Sequence, residues 1–200
     1  MELHWAPASP FARKCMVCLK ETGQDAEIVS RGGTPLATEN MPVPQNPLGK
    51  IPALEREDGP AIYDSRVITR YLDAKAGGTL YPGARLWEVL TLEALADGIM
   101  DAAILVTYEG RLRPEAKKFP DWVEAQWDKI ERSLSALERQ WMSHLQGPLD
   151  MGQIAVGCAL AYLDFRHGAR DWRSHHAELS DWEQGFAERP SMAETLPRDP

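Results

Sequence analysis

The sequence is poor in cysteine, in net positive charge and in long apolar runs. Its three cysteines, Cys15, Cys18 and Cys158, are odd in number and too few for a disulfide framework, which points to a reducing compartment. Lysine and arginine number 22 against 30 aspartates and glutamates, for a formal net charge of −8. A duplex-binding face needs a basic patch, so nucleic acid is not an expected partner. The best apolar run, Ile154–Leu163, is about half of the ~20 residues a helix needs to cross hydrocarbon, so no membrane span is expected. The opening Met-Glu-Leu-His-Trp meets Pro7 and Pro10 before any extended apolar stretch, and it reads as no secretory signal. These features predict a cytoplasmic protein. Histidine is also scarce. The adjacent pair His175-His176 has no second ligand cluster at metal spacing and no His-Glu-x-x-His occurs, so no metal is expected and the pair reads as surface residues opening the last helix.

What is present suffices for a packed core, since 44% of the 200 residues are apolar. The first ~80 residues carry strand-length apolar runs cut by proline and glycine: Glu2–Trp5, Ala26–Ser30, Ile51–Glu55 and Ala61–Tyr63. Between the first two, Phe11–Thr22 places Ala12, Cys15, Val17, Cys18 and Leu19 on one broad face, with Pro10 at the start and Gly23 as a stop. That pattern predicts a helix. A second helix is predicted over Ser65–Ala76, where Val67, Ile68, Tyr71 and Leu72 recur at helical spacing before Gly77-Gly78. Beyond Ala84 strand signals vanish. Helices are expected at Leu86–Tyr108, Asp121–Leu145, Asp150–Phe165 and about His175–Arg189. The third of these opens with Asp150-Met-Gly-Gln153, the layout of a capping box. The tail Pro197–Pro200 offers nothing to bury. The expectation is an α/β domain over residues 1–78 and an all-helical domain over 84–200.

Three segments could carry chemistry. Ser9-Pro10-Phe11-Ala12 lies between the first strand and first helix, where unpaired N–H groups and the helix dipole favour an anion such as a thiolate; on the local residues alone Ser9 reads first as a plain N-cap. Asn46-Pro-Leu-Gly-Lys50-Ile51-Pro52 puts a proline at the entrance to an apolar strand. A cis Ile51–Pro52 bond would turn the Ile51 backbone outward, whereas an ordinary trans edge proline is the statistical default. Tyr63-Asp64-Ser65-Arg66 again runs from strand into helix, where Asp64 can accept from an ammonium and Ser65 can hold a carboxylate.

Taken together, Ser9–Ala12, Asn46–Leu54, the run Asp64-Ser-Arg-Val-Ile-Thr-Arg-Tyr-Leu-Asp73 and Asp150–Phe165 resemble the glutathione S-transferase superfamily over nearly the whole chain. The resemblance implies a thioredoxin-like α/β N-terminal domain, an all-α C-terminal domain and a homodimer. Carried over by position, Ser9 contacts the glutathione thiol, Ile51 before cis-Pro52 pairs its backbone with the cysteinyl part, Asp64 and Ser65 hold the γ-glutamyl group, and Lys50 reaches the glycyl carboxylate. Glutathione is then a co-substrate, and the activity a transferase acting on an apolar electrophile. One departure is informative. Serine replaces the cysteine of the Cys-Pro-Phe-Ala opening of the omega-type members, and a serine forms no mixed disulfide with glutathione. The alternatives are a non-catalytic interaction module on the same fold, or a disulfide reductase or peroxidase that uses bound glutathione.

Other signals read more plainly. Cys15-Met-Val-Cys18 lies too far along its helix for a redox pair and reads as core. Glu93, Asp97 and Asp101 recur every four residues and read as a solvated face, with pairing to Arg66 or Arg70 as the alternative. Met100, Ile104 and Tyr108 are candidates to line an apolar pocket, and the tryptophans from Trp87 onward read as packing groups.

Overall fold

The protein is described by a computed structural model over residues 1–199. Its first half alternates short strands and helices: β1 Glu2–Trp5, α1 Pro10–Glu21, β2 Glu27–Ser30, β3 Ala53–Arg56, β4 Gly59–Ile62 and α2 Ser65–Lys75. The four strands form one mixed sheet in the order β2-β1-β3-β4, with β2 parallel to β1 and the other pairs antiparallel. Leu3 stands opposite Leu54 across the β1–β3 pair, and both are fully buried in the core that Cys15, Cys18 and Leu19 of α1 and Ile68 and Leu72 of α2 complete. The Cys15 and Cys18 thiols point to the Ser65 and Thr69 carbonyls of α2, at 3.9 and 3.7 Å. They are core groups, as expected. Burial pushes both thiols up from their ordinary range.

Proline sets the strand limits. β3 begins at Ala53 rather than at Ile51, because Pro52 has no N–H to give to a ladder. Pro60 falls inside β4, which is tolerated because β4 is an edge strand. The chain between β2 and β3 makes turns and no helix. At the end of α2, Gly77 and Gly78 take φ of +106° and +77°, values that favour glycine and stop the helix.

The second half is helical: α3 Leu86–Leu112, α4 Pro120–Ala136, α5 Met142–Leu145, α6 Met151–His167, α7 Trp172–His175, α8 Ala177–Ala187 and α9 Pro190–Ala193. Helix α6 is buried on all sides from Met151 to Leu163, as befits a helix that is apolar all round. Its capping box forms as expected: Asp150 Oδ1 accepts from the Gly152 and Gln153 N–H groups, and Gln153 Oε1 accepts from the Asp150 N–H. A Cβ on Gly157 would lie 2.8 Å from the Phe186 ring, so glycine there lets α8 approach α6 closely.

Several expectations are corrected. Helix α3 runs past Tyr108 to Leu112, ending only where Pro114 approaches. The long helix expected over Asp121–Leu145 is interrupted by a wide π-type turn at Leu137–Trp141. The helix expected at His175–Arg189 divides at His176, and that histidine is buried rather than on the surface, its ring nitrogens 3.1 Å from Glu138 and 3.4 Å from Glu131. Trp87 is not a packing group, being 76% exposed. The tail does make contacts: the Arg198 N–H donates to the Pro7 carbonyl at 3.4 Å and Asp199 pairs with Arg166.

Candidate active site

Ser9 ends the turn that leaves β1. Its backbone is extended, at φ −90° and ψ 116°, Pro10 takes the first helical position, and Ser9 Oγ accepts from the Ala12 N–H at 3.2 Å. The acceptor side of the hydroxyl is therefore used by the cap. Its O–H proton has no partner among the described residues and remains available to a ligand. The plain cap and the thiol-contacting role are thus compatible in one side chain.

The second segment is organised by Asn46, whose importance the sequence reading missed. This buried residue donates from Nδ2 to the Lys50 carbonyl at 2.9 Å and accepts at Oδ1 from the Leu48 N–H at 3.1 Å, so the loop folds around one amide. Its four hydrogen-bonding sites suit that task. The Ile51–Pro52 peptide is cis. Ile51 is half-buried and its N–H and C=O make no hydrogen bond among the described residues, so they stand open beside the sheet. Lys50 is exposed.

At the third segment Asp64 caps α2, its Oδ1 accepting from the Arg66 N–H at 2.9 Å while Oδ2 keeps no partner among the described residues. The Tyr63–Asp64 peptide is also cis. Ser65 is buried on α1 through the Cys15 contact, with its hydroxyl unpartnered. An open cleft of about 480 Å³ runs along this edge, walled by Leu48, Tyr63, Asp64, Arg66, Val67 and Arg70. Ser9 and Ile51 are not on its walls.

Beneath α2 lies a network that the sequence placed in solvent. Lys14 of α1, fully buried, donates to Glu93 Oε1 at 3.0 Å and to Asp97 Oδ1 at 2.8 Å, and Arg66 Nε reaches Asp97 Oδ2 at 2.5 Å. Tyr81 donates to Glu93 at 3.0 Å and lies 2.8 Å from the Thr69 hydroxyl. Glu93 and Asp97 thus form no solvated face: a lysine 79 and 83 residues away neutralises them. Of the alternative pairings, that of Asp97 with Arg66 is present. Burial opposes the charged form of Lys14, but Asp97 and then Glu93 outweigh it and hold its pKa above the ordinary lysine value. Asp101 stays at the rim, where partial loss of solvation and then Asp97 raise its carboxyl above the usual range, against Arg66 and Lys50. The network ties α1, α2 and α3 together, reaching α2 at Arg66, the residue after Asp64 and Ser65, and at Thr69.

Met100 is fully buried in the core, whereas Ile104 and Tyr108 are half-buried farther along α3. Among the described residues one cluster could suggest a metal, Glu2, His4 and Glu55. Both ring nitrogens of His4 are already used, Nδ1 accepting from Arg31 Nε at 2.9 Å and Nε2 lying 2.7 Å from Glu55. With Nδ1 accepting from Arg31 and Nε2 turned to Glu55, His4 has no lone pair free for a cation.

Comparison with known proteins gives the family. Residues 3–80 match the family model for the glutathione S-transferase N-terminal domain, and residues 120–185 match that for the C-terminal domain. The chain belongs to the glutathione S-transferase family. A glutathione transferase family member from Pseudomonas fluorescens Pf-5, solved with bound glutathione, is 46% identical and superposes with a TM-score of 0.95, covering 98% of each chain. A second Pseudomonas fluorescens Pf-5 structure, with bound S-(propanoic acid)-glutathione, is 45% identical with a TM-score of 0.91 and covers 99% of this chain and 100% of that one. The uncharacterized GST-like protein YibF of Escherichia coli K12 is 34% identical, with 98% of each chain covered.

Proposed function

We propose that this chain is a glutathione transferase in which Ser9 stabilises the thiolate of bound glutathione for attack on an electrophilic small molecule. The observation that carries the reading is the Ser9 hydroxyl, capped through its oxygen and free at its proton, at the N-terminus of a twelve-residue helix. A donor at that point, together with the helix dipole, favours the ionised thiol over the neutral one. The open Ile51 backbone next to Pro52 would pair with the cysteinyl part of the tripeptide. Asp64 Oδ2 would accept from the γ-glutamyl ammonium, the Ser65 hydroxyl and N–H would hold its carboxylate, and Lys50 would reach the glycyl end. Holding thiolate and electrophile together supplies proximity, and a lowered thiol pKa supplies nucleophile at neutral pH.

The relatives solved with glutathione and with a glutathione thioether support both the ligand and the product class. Exchange through a protein thiol finds no support, because Cys15, Cys18 and Cys158 are all buried. The exposed apolar groups Leu48 and Val67 beside Arg66 and Arg70 supply a surface suited to a second copy of the chain, and we read the active form as a homodimer. No helix among the described residues is long and apolar enough to cross a membrane; the cytoplasmic assignment rests on the unpaired thiols.

The test is the ultraviolet absorbance of the thiolate recorded against pH with saturating glutathione, for wild type and Ser9→Ala. A hydrogen bond to a charged group contributes about 1.5–3 kcal/mol, so the bound thiol pKa should rise by about one to two units in the variant. Superimposable curves would refute the role of Ser9.

A further inference from the structure

The C-terminal turns of α3 and α6 enclose a second hollow of about 390 Å³, lined by Val106, Gly110 and Arg111 of α3 and by Phe165, Arg166 and His167 of α6. On α3, Asp97, Ile104, Tyr108 and Arg111 follow at intervals of seven, four and three, so they share one face. Asp97 on that face holds Arg66, the neighbour of Asp64 and Ser65. Arg111 therefore stands farther along the same helix face, with half-buried Ile104 and Tyr108 between.

Two guanidinium groups converge there on a single carboxylate. Arg166, only 9% exposed and with its guanidinium 3.8 Å from the Phe165 ring centre, donates to Asp199 Oδ1 at 2.7 Å, and Arg111 Nη2 lies 3.7 Å from the same oxygen. His167 adds no charge: burial, and behind it Arg170 and Arg166, lower its pKa against the opposing pull of the Ala103 carbonyl, 2.9 Å from its Nε2. In a chain of net charge −8, this hollow thus carries one uncompensated positive charge. The carboxylate that occupies it is 62% exposed and belongs to an exposed tail. Ion pairs so open to solvent are weak and readily exchanged. The tail also locates the hollow. Arg198, adjacent to Asp199, bonds the Pro7 carbonyl two residues before Ser9, so the arginines and the start of α1 are bridged by a short stretch of chain.

Building on the transferase reading, we propose that Arg111 and Arg166 form a carboxylate-binding subsite of the electrophile pocket, that the preferred electrophiles carry a carboxylate on an apolar or aromatic body, and that Asp199 fills the subsite in their absence. The guanidinium fork matches a carboxylate in plane. Val106 and Phe165 of the lining offer the apolar surroundings. Asp199 then acts as an internal competitor, lowering the apparent affinity for an anionic ligand by the fraction of time it holds the arginines.

The test is calorimetric binding of glutathione, S-benzylglutathione and S-(4-carboxybenzyl)glutathione, the last two differing only in the added carboxylate. Wild type should bind the carboxybenzyl ligand at least tenfold more tightly than the benzyl one. Arg111→Gln and Arg166→Gln should each abolish most of that preference while leaving S-benzylglutathione within about twofold. Asp199→Asn should tighten the carboxybenzyl ligand alone, by about threefold or more. Should Arg166→Gln fail to fold, the exposed positions Arg111 and Asp199 decide the matter. Equal affinity for the two thioethers in wild type, or variants that shift both alike, would overturn the subsite and leave the transferase reading standing. Failure of wild type to bind glutathione itself would overturn both.

Discussion

Removing the Lys14 ammonium while keeping its stem, as in Lys14→Met, should destabilise the protein by about 3–5 kcal/mol, the cost of leaving one side of a buried ion pair uncompensated. The side chains of Lys14, Glu93 and Asp97 are no more than 2% exposed, with Nζ at 3.0 and 2.8 Å from the two carboxylates. At an effective dielectric constant of ~20, each contact represents about 6 kcal/mol of gross attraction, most of it offset by desolvation of the three groups. In the variant Glu93 and Asp97 would face each other with Tyr81 and Arg66 as their remaining partners. Arg66 is half exposed and already engaged. Urea denaturation at pH 7 measures the loss. The triple variant Lys14→Met, Glu93→Gln, Asp97→Asn, which removes all three charges together, should recover most of it. The pH dependence gives a second check. Lys14 has a raised pKa in the folded protein, so its stabilisation is fully present below the ordinary lysine value near 10.5 and is lost as pH rises through the folded value. Wild type should lose this component in alkali and Lys14→Met should not. A Lys14→Met variant within 1 kcal/mol of wild type at pH 7 would refute the reasoning.

The remaining expectations concern ligand contacts and packing. Asp64→Ala should weaken glutathione binding about ten- to a hundredfold by calorimetry, more than Ser9→Ala does, because it removes a charge-assisted partner of the ammonium; unchanged affinity would remove Asp64 from the site. Asp150→Ala should cost at least ~2 kcal/mol in urea denaturation, since Asp150 is fully buried and caps two N–H groups while lying 2.8 Å from His144; a loss below 0.5 kcal/mol would show the capping box to be dispensable. Gly157→Ala should lower the melting temperature through overpacking by about 1–3 kcal/mol against Phe186 and Met192, and an unchanged transition would mean that α8 simply gives way.

Much of this protein is written in local sequence. Ser9-Pro10, Asp64-Ser65 and Asp150 with Gln153 announce helix starts because a cap is made by the backbone within three residues of it. Cys15 and Cys18 lie on an apolar face at helical spacing, and that face is buried whatever covers it. The strand-and-helix order of the first half follows from the same short-range rules, with proline trimming β3 and confining β4 to an edge. What the tertiary structure alone decided is where charges end up. Glu93 and Asp97, four residues apart and of like sign, read as solvated because nothing near them in sequence neutralises them; Lys14 does so from another element. His176 is buried because Glu131 and Glu138 come to it from α4 and the turn that follows. Asn46 looks like a loop residue until the fold places the Lys50 carbonyl against its amide. Arg111, Arg166 and Asp199 belong to three separate stretches of chain that meet only when α3, α6 and the tail are packed. Burying an ion is favourable only with its partner in place, and such partners are chosen by the packing of distant segments, which no window of neighbouring residues contains.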